Sequence, residues 1–290
     1  MRNFAIFTDS SCDLTAHMAQ ELELTVVPLS VTIDGETYEN DLAGKALPFE
    51  KCYALLRAGK QAVTSAVNVA QFTAAMEPVL QAGSDILYLG FSSALSGTYS
   101  AGAVALEQLS ARYPEAKVYA VDTLCASLGQ GMLIYLAVQQ KRAGKSIEEV
   151  RDYVEAQKLH LCHWFTVDDL HHLHRGGRVS ATSAVVGTVL NIKPVLHVDN
   201  EGRLIFVDKV RGRRNALKSV VQKMADTAIA PEQQTIFISH GDCLEEAELL
   251  ADMVREKLHV RDVVINFVGP VIGAHSGPGT LALFFLGTKR

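Results

Sequence analysis

The sequence predicts an α/β protein with two domains. In roughly the first 160 residues, short apolar strands alternate with segments of helical period, which is typical of a mostly parallel sheet covered by helices on both faces. Beyond Phe165 two neighbouring strand patterns form a hairpin, which favours a mixed sheet with its helices mostly on one face. A chain of 290 residues is long enough for both units. We therefore predict a three-layer α/β/α domain at residues 1–164 and a two-layer α/β domain at residues 165–290.

The N-terminal half repeats a unit of strand, hydroxyl-rich turn and helix. Residues 4–7 form an apolar strand that ends in the polar turn 8–13, before a helix that begins near Thr15. The clearest unit is residues 85–106, where an apolar strand ends at Gly90 and the turn SSALSGT leads into a helix. The other elements predicted here are strand 24–33, turn 34–35, strand 36–38, helix 48–56, polar turn 64–68, a helix through residues 72–80, strand 117–121, a helix ending near 143 and a helix from a capping box at Ser146 to about 159.

The C-terminal half begins with the hairpin, whose strands at 194–198 and 204–210 flank the turn DNEG. A helix at 216–228, a strand at 235–239, a helix at 244–258 and strands at 263–268 and 281–286 follow. A Gly- and Pro-rich segment at 269–279 lies between the last two strands, and this composition predicts a loop of defined shape with His275 at its centre.

Composition narrows the class of protein. A formal net charge of −5 gives no electrostatic reason to expect nucleic-acid binding. The five cysteines form no CxxC pair and are odd in number, which favours a reducing, cytoplasmic compartment. No signal peptide or apolar run long enough to span a membrane is present, so no stable membrane anchor is expected.

The turn at residues 92–98 is a candidate anion site. Four residues, Ser92, Ser93, Ser96 and Thr98, offer hydroxyl donors, and the helix that follows Gly97 adds unpaired backbone N–H groups. In a parallel sheet such turns meet at the carboxyl edge of the strands, where ligands bind. The alternative is that these residues only cap the helix, although capping uses a single hydroxyl.

Three other motifs admit more than one interpretation. Residues 90–94 (GFSSA) resemble a nucleophile elbow, which would make Ser92 the nucleophile of a serine hydrolase with His275 as its base. Five histidines lie at residues 160–174, but they lack the spacing of a zinc site, so we expect no metal and expect most of them to face solvent. Arg211, Arg213 and Arg214 form either a solvated helix start or a docking patch for a partner.

Short motifs are spread over nearly the whole chain. Arginines flank a glycine pair in residues 175–180 (RGGRVS), a motif that alone is also explained by a helix end. The other stretches are TDSSCDL at 8–14, Thr64 with Ser65, residues 92–99, VDT at 121–123, GQG at 129–131, DDL at 168–170 and GAHSGPG at 273–279. Taken together, in this order, these motifs resemble the DegV family.

The resemblance implies a DegV-like fold that holds a long-chain fatty acid in a tunnel. The acid's carboxylate would be held by hydroxyls corresponding to Thr64 and Ser96, with Ser65, Ser93, Gly97 and Thr98 nearby. A separate ATP-dependent subunit, the fatty acid kinase, would phosphorylate that carboxylate for phospholipid metabolism. Arg178 and His275 would assist this transfer from outside the carboxylate site. The chain would then be a lipid carrier without a cofactor, with a serine hydrolase as the alternative and a phosphate-binding regulator as a third.

Overall fold

A computed structural model describes residues 2–179 and 191–290 of the chain. Its strands are β1 Phe4–Asp9, β2 Thr25–Val27, β3 Ser30–Ile33, β4 Glu36–Glu39, β5 Ala62–Ser65, β6 Asp85–Gly90, β7 Val118–Asp122, β8 Leu161–Thr166, β9 Ile192–Val198, β10 Leu204–Arg211, β11 Thr235–His240, β12 Asp262–Phe267 and β13 Leu281–Leu286. Its α-helices in those ranges are α1 Ala16–Glu21, α2 Phe49–Arg57, α3 Val69–Gln81, α4 Thr98–Arg112, α5 Leu128–Arg142, α6 Ile147–Gln157, α7 His171–Arg175, α8 Arg213–Thr227, α9 Leu244–Leu258 and α10 Pro270–Ser276.

The N-terminal half is built on a parallel sheet with the strand order β2-β1-β6-β7. Alternate residues of β6 point to opposite faces, so Ile86 and Tyr88 pack with α3 and α4, whereas Leu87 and Leu89 pack with α5 and α6. Helices therefore cover both faces, which confirms the predicted α/β/α layers. The predicted capping box at Ser146 also forms, with its partner Glu149.

The C-terminal half is a six-stranded mixed sheet with the order β10-β9-β8-β13-β11-β12, in which only β11 and β12 pair in parallel. Helices α8 and α9 cover one face, and α5 from the N-terminal half packs against the other through β8, β11 and β13. All of β8 pairs within this sheet, so the predicted boundary between residues 164 and 165 falls inside a strand. We propose that the second unit begins ahead of Leu161.

Two predicted elements are wrong in a way that affects the site. The strand predicted at 24–33 is interrupted at Pro28, which has no N–H to donate to a ladder, and β3 leaves the parallel sheet to pair with β4 and β5. Thr64 therefore lies on an antiparallel strand. The predicted loop at 269–279 contains helix α10, with Pro270 in its first turn, where a missing N–H costs nothing. Across the described ranges, no helix is long and apolar enough to cross a bilayer.

Candidate functional site

A cavity of about 230 Å³ lies between the two sheets. The turns after β1, β6 and β7 form one side, the inward faces of β8, β9 and β13 form the other, and α10 runs along it. Most of the wall is apolar, which suits a hydrocarbon chain. Its larger apolar residues are Leu29, Phe91, Leu95, Phe165, Val198, Leu204, Val268, Val271, Ile272 and Phe284.

Polar groups predicted from the sequence meet in this cavity. Thr64 Oγ1 lies 2.8 Å from His275 Nε2, although the two residues are 211 positions apart. Ser96, Gly97 and Arg178 line the same cavity. Strand β5 and the turn before α4 therefore bring two hydroxyls together with the imidazole of α10 and the guanidinium of the segment after α7.

His275 is a neutral hydrogen-bonding group in this setting. Burial, with the nearby positive charges of Arg178 and Arg175, lowers the pKa of His275 to about 4. The neutral ring then carries one proton. If Nε2 carries it and donates to Thr64, the Thr64 hydroxyl is free to donate to a ligand in the cavity.

Arg178 supplies positive charge at the same end of the cavity. Its guanidinium donates to the carbonyl of Leu95 at 3.0 Å from Nη2 and to the carbonyl of Gly176. These bonds fix the side chain beside the turn that carries Ser96. Burial lowers the pKa of Arg178, but an arginine keeps its charge at neutral pH. The group is therefore suited to an anion.

Hydrogen bonds to a buried carboxylate, that of Asp9, hold the turn after β6 in place. The buried Asp9 carboxylate accepts hydrogen bonds from the backbone N–H groups of Phe91 and Ser11, each at 3.0 Å. Ser96 Oγ lies 2.9 Å from Thr98 Oγ1 and accepts from the Thr98 N–H at 3.2 Å. If the Thr98 hydroxyl donates to Ser96 Oγ, the Ser96 hydroxyl keeps its own proton free to donate to a ligand in the cavity.

The other predicted carboxylate-binding residues do not line the cavity. Thr98 is buried behind Ser96, while Ser65 and Ser93 are exposed. We expect Arg178 and His275 to act from outside the carboxylate-holding hydroxyls, but α10 and the segment after α7 place both in the same cavity wall, with His275 against Thr64. Ser180, part of the RGGRVS motif, lies outside the described residues.

The elbow interpretation of Ser92 is wrong. Its side chain is fully buried and its hydroxyl donates to the Gly202 carbonyl at 2.9 Å, which joins the two halves of the chain. His275, the predicted base, instead faces Thr64. A nucleophilic serine needs a base within hydrogen-bond reach, so this geometry does not support a serine hydrolase.

The histidine cluster and the arginine patch also differ from expectation. His163 is buried and lines the cavity, and its Nε2 accepts from the Ala126 N–H at 3.2 Å, although His171 and His174 are exposed as predicted. Within residues 2–179 and 191–290, no group of three or more His, Cys, Asp or Glu could hold a metal ion. Arg213 is bound to Glu246 at 2.7 Å and to the Gly279 carbonyl at 2.6 Å. Of the proposed docking arginines, Arg211 and Arg214 are exposed.

Sequence reasoning missed a second group of cavity residues. Ser127, Ser239 and Ser276 line the cavity, as does Ser11 of the polar turn at residues 8–13, and Ser276 Oγ has no hydrogen-bond partner in the part of the chain that the structure describes. The available signal was the alternation of β11, which places Ser239 on the same face as the core residue Phe237. Only the pairing of β11 shows that this face borders a cavity.

Comparisons with known proteins agree with this architecture. The family model described as "Uncharacterised protein, DegV family" matches residues 3–288. A DegV domain-containing protein of Clostridium perfringens is 47% identical over 290 residues, covering 100% of this chain and 99% of that protein. A DegV domain-containing protein of Streptococcus pyogenes serotype M3 is 37% identical over 284 residues, covering 98% of each.

Solved structures give the same result for the fold. A DegV family protein from Thermus thermophilus, described for its fatty acid binding, has a TM-score of 0.87 at 28% identity and covers 99% of this chain and 100% of its own. DegV of Bacillus subtilis, described as a fatty acid binding protein, has a TM-score of 0.84 at 27% identity with the same coverage. The chain described here belongs to the DegV family.

Proposed function

We propose that the protein binds a long-chain fatty acid in the cavity between its sheets, with the carboxylate at Thr64 and Ser96. The observation that carries this proposal is the cavity itself, which is apolar along most of its wall and joins Thr64, Ser96, His275 and Arg178. The fatty-acid-binding relatives from Thermus thermophilus and Bacillus subtilis support it.

The energetics favour such a ligand. A carboxylate accepts several hydrogen bonds, and the Thr64 hydroxyl, the Ser96 hydroxyl and the Gly97 N–H are suited to donate them while Arg178 supplies charge. Each buried CH₂ contributes about 0.8 kcal/mol, so an acyl chain of roughly sixteen carbons offsets the cost of ordering the ligand. The proposal needs neither a cofactor nor a nucleophile.

We further propose that the carrier presents the carboxylate to a separate ATP-dependent kinase that forms an acyl phosphate. Ala66 and Gly97 line the cavity and are also exposed, so its polar end is accessible from the surface. An acyl phosphate carries more negative charge than a carboxylate, and a guanidinium is well suited to stabilise it. Arg211 and Arg214 are exposed cations that could dock such a partner.

Extraction of the purified protein with organic solvent, followed by mass spectrometry, tests the binding step. We expect a stoichiometric long-chain fatty acid. Protein that yields none and also fails to bind added octadecanoic acid would contradict the proposal.

A phosphoryl-transfer assay with a cognate kinase subunit tests the presentation step. We expect Arg178→Ala to lose at least tenfold more in phosphoryl transfer than in fatty acid affinity, a difference that corresponds to about 1.4 kcal/mol. Arg178→Lys is the matched control, because lysine keeps the positive charge but lacks the planar pair of N–H donors of the guanidinium. Equal losses of affinity and transfer would assign Arg178 to the bound carboxylate instead.

A further inference from the structure

A second polar cluster lies in the cavity wall and is formed by Asp13, Ser127 and Ser239. Ser127 and Ser239 both line the cavity, and their Oγ atoms are 3.0 Å apart. Ser127 Oγ also lies 2.6 Å from Asp13 Oδ2. All three residues are buried, so these contacts are protected from bulk water. The fatty-acid carboxylate proposed above does not use this cluster.

Counting protons determines what the cluster offers to the cavity. A serine hydroxyl has one proton, so Ser127 cannot donate both to Asp13 and to Ser239. If Asp13 is neutral, it donates to Ser127, Ser127 donates to Ser239, and the Ser239 proton is free. If Asp13 is ionised, Ser239 donates to Ser127 and offers only lone pairs. Burial raises the pKa of the Asp13 carboxyl to about 8, which favours the first arrangement at neutral pH.

Helix α10 begins beside this cluster and carries His275, which contacts Thr64 at the carboxylate end. A Cβ placed on Gly269, the residue before α10, would lie 2.6 Å from Asp13 Oδ1, so the cluster adjoins the helix start. His275 lies six residues further on, so the rise along the helix from Gly269 to His275 is about 9 Å at 1.5 Å per residue. Val271 and Ile272 border the cavity between the two ends. An extended chain of single bonds advances roughly 1.2 Å per bond, so an acyl chain that runs parallel to α10 covers this rise in about seven or eight bonds.

We propose, on the basis of the fatty-acid-binding function argued above, that Ser239 and Ser127 form a subsite for a hydroxyl group near the middle of the acyl chain. The ligand class is then a long-chain fatty acid hydroxylated at roughly C8 to C10. A hydroxyl both donates and accepts, so it pairs with Ser239 in either proton arrangement. An unsubstituted chain leaves the Ser239 proton without a partner in the neutral arrangement, which disfavours it relative to the hydroxylated acid.

The test compares dissociation constants measured by calorimetry for octadecanoic acid and its 10-hydroxy and 15-hydroxy derivatives. We expect the wild-type protein to bind the 10-hydroxy acid at least as tightly as the parent acid and at least tenfold more tightly than the 15-hydroxy acid. The 15-hydroxyl would be buried in the apolar part of the wall without a partner. If the parent acid binds and the 10-hydroxy acid binds more than tenfold weaker, the subsite is overturned while the proposed function stands. If no acid binds, the proposed function is overturned, and this inference with it.

Variants separate the subsite from general packing. In Ser239→Ala, the preference for the 10-hydroxy acid over the parent acid should fall at least tenfold, and an unchanged preference would overturn the assignment. In Asp13→Asn, the amide donates to Ser127 as a neutral carboxyl does, so the preference should stay within threefold of wild type. Loss of the preference in Asp13→Asn would overturn the proposed order of hydrogen bonds. Ser110→Ala, on the outer surface of α4, is the control for an unrelated serine.

Discussion

Replacing Thr64 with valine tests the carboxylate site directly. Valine has nearly the shape of threonine and suits a strand, so β5 should keep its backbone while the hydroxyl is lost. The hydroxyl lies 2.8 Å from His275 Nε2 and borders the cavity, so its removal affects both the ligand and the imidazole.

The expected size of the effect follows from these two contacts. A lost hydrogen bond to a charged carboxylate is worth about 1.5–3 kcal/mol, which corresponds to a dissociation constant raised about ten- to 150-fold. The His275 ring also loses its partner, which places the expected value in the upper part of that range. The free energy of unfolding should change by less than about 1 kcal/mol, because Thr64 is only partly buried.

Titration calorimetry with octadecanoic acid on delipidated protein measures the effect, and circular dichroism checks the fold. Thr37→Val is the matched control, because Thr37 is on β4, at the other edge of the same three-stranded sheet, and among the described residues its exposed hydroxyl bonds only Thr32, at 2.8 Å. We expect this control to bind like wild type. A Thr64→Val variant whose affinity stays within twofold of wild type would refute the placement of the carboxylate at this residue.

Three further predictions test the surroundings of the site. A Cβ at Gly176 would lie 2.4 Å from His275 Nδ1, so Gly176→Ala should displace the ring and weaken octadecanoic acid binding at least tenfold in the same calorimetric assay; unchanged affinity would contradict the tight packing. Ser92→Ala removes the donor to the Gly202 carbonyl and should lower the free energy of unfolding in urea by about 1–3 kcal/mol while the fatty acid still binds. Asp13 has a folded-state pKa of about 8, well above its unfolded value, so the native state holds an extra proton between about pH 4 and 8 and wild-type stability falls as pH rises through that window. The stability of Asp13→Asn relative to wild type should therefore increase from pH 5 to pH 7, by up to about 1.4 kcal/mol per pH unit, and a difference that does not change with pH would contradict the buried neutral carboxyl.

Local patterns were sufficient to predict most elements of this chain. The α9 helix and strand β13 have the predicted bounds, and the alternation of strands and helices predicted the parallel sheet because each strand needs apolar cover on both faces. The failures arose where one residue overrides a pattern. Pro28 divides one apolar run between two sheets, and Pro270 starts a helix in a segment whose composition predicts a loop.

The candidate site also has features that local sequence predicts and contacts that it does not. Residue type and local spacing are enough to predict that hydroxyls follow the strands and that Arg178 and His275 lie in glycine-rich segments. Which of these residues meet depends on how the elements pack. The contact between Thr64 and His275 depends on β5 pairing with β3 and on α10 packing beside them, and Ser239 reaches the cavity only through the register of β11 with β13. Contacts between residues more than 200 positions apart follow from the packing of whole elements, which no local pattern in the chain records.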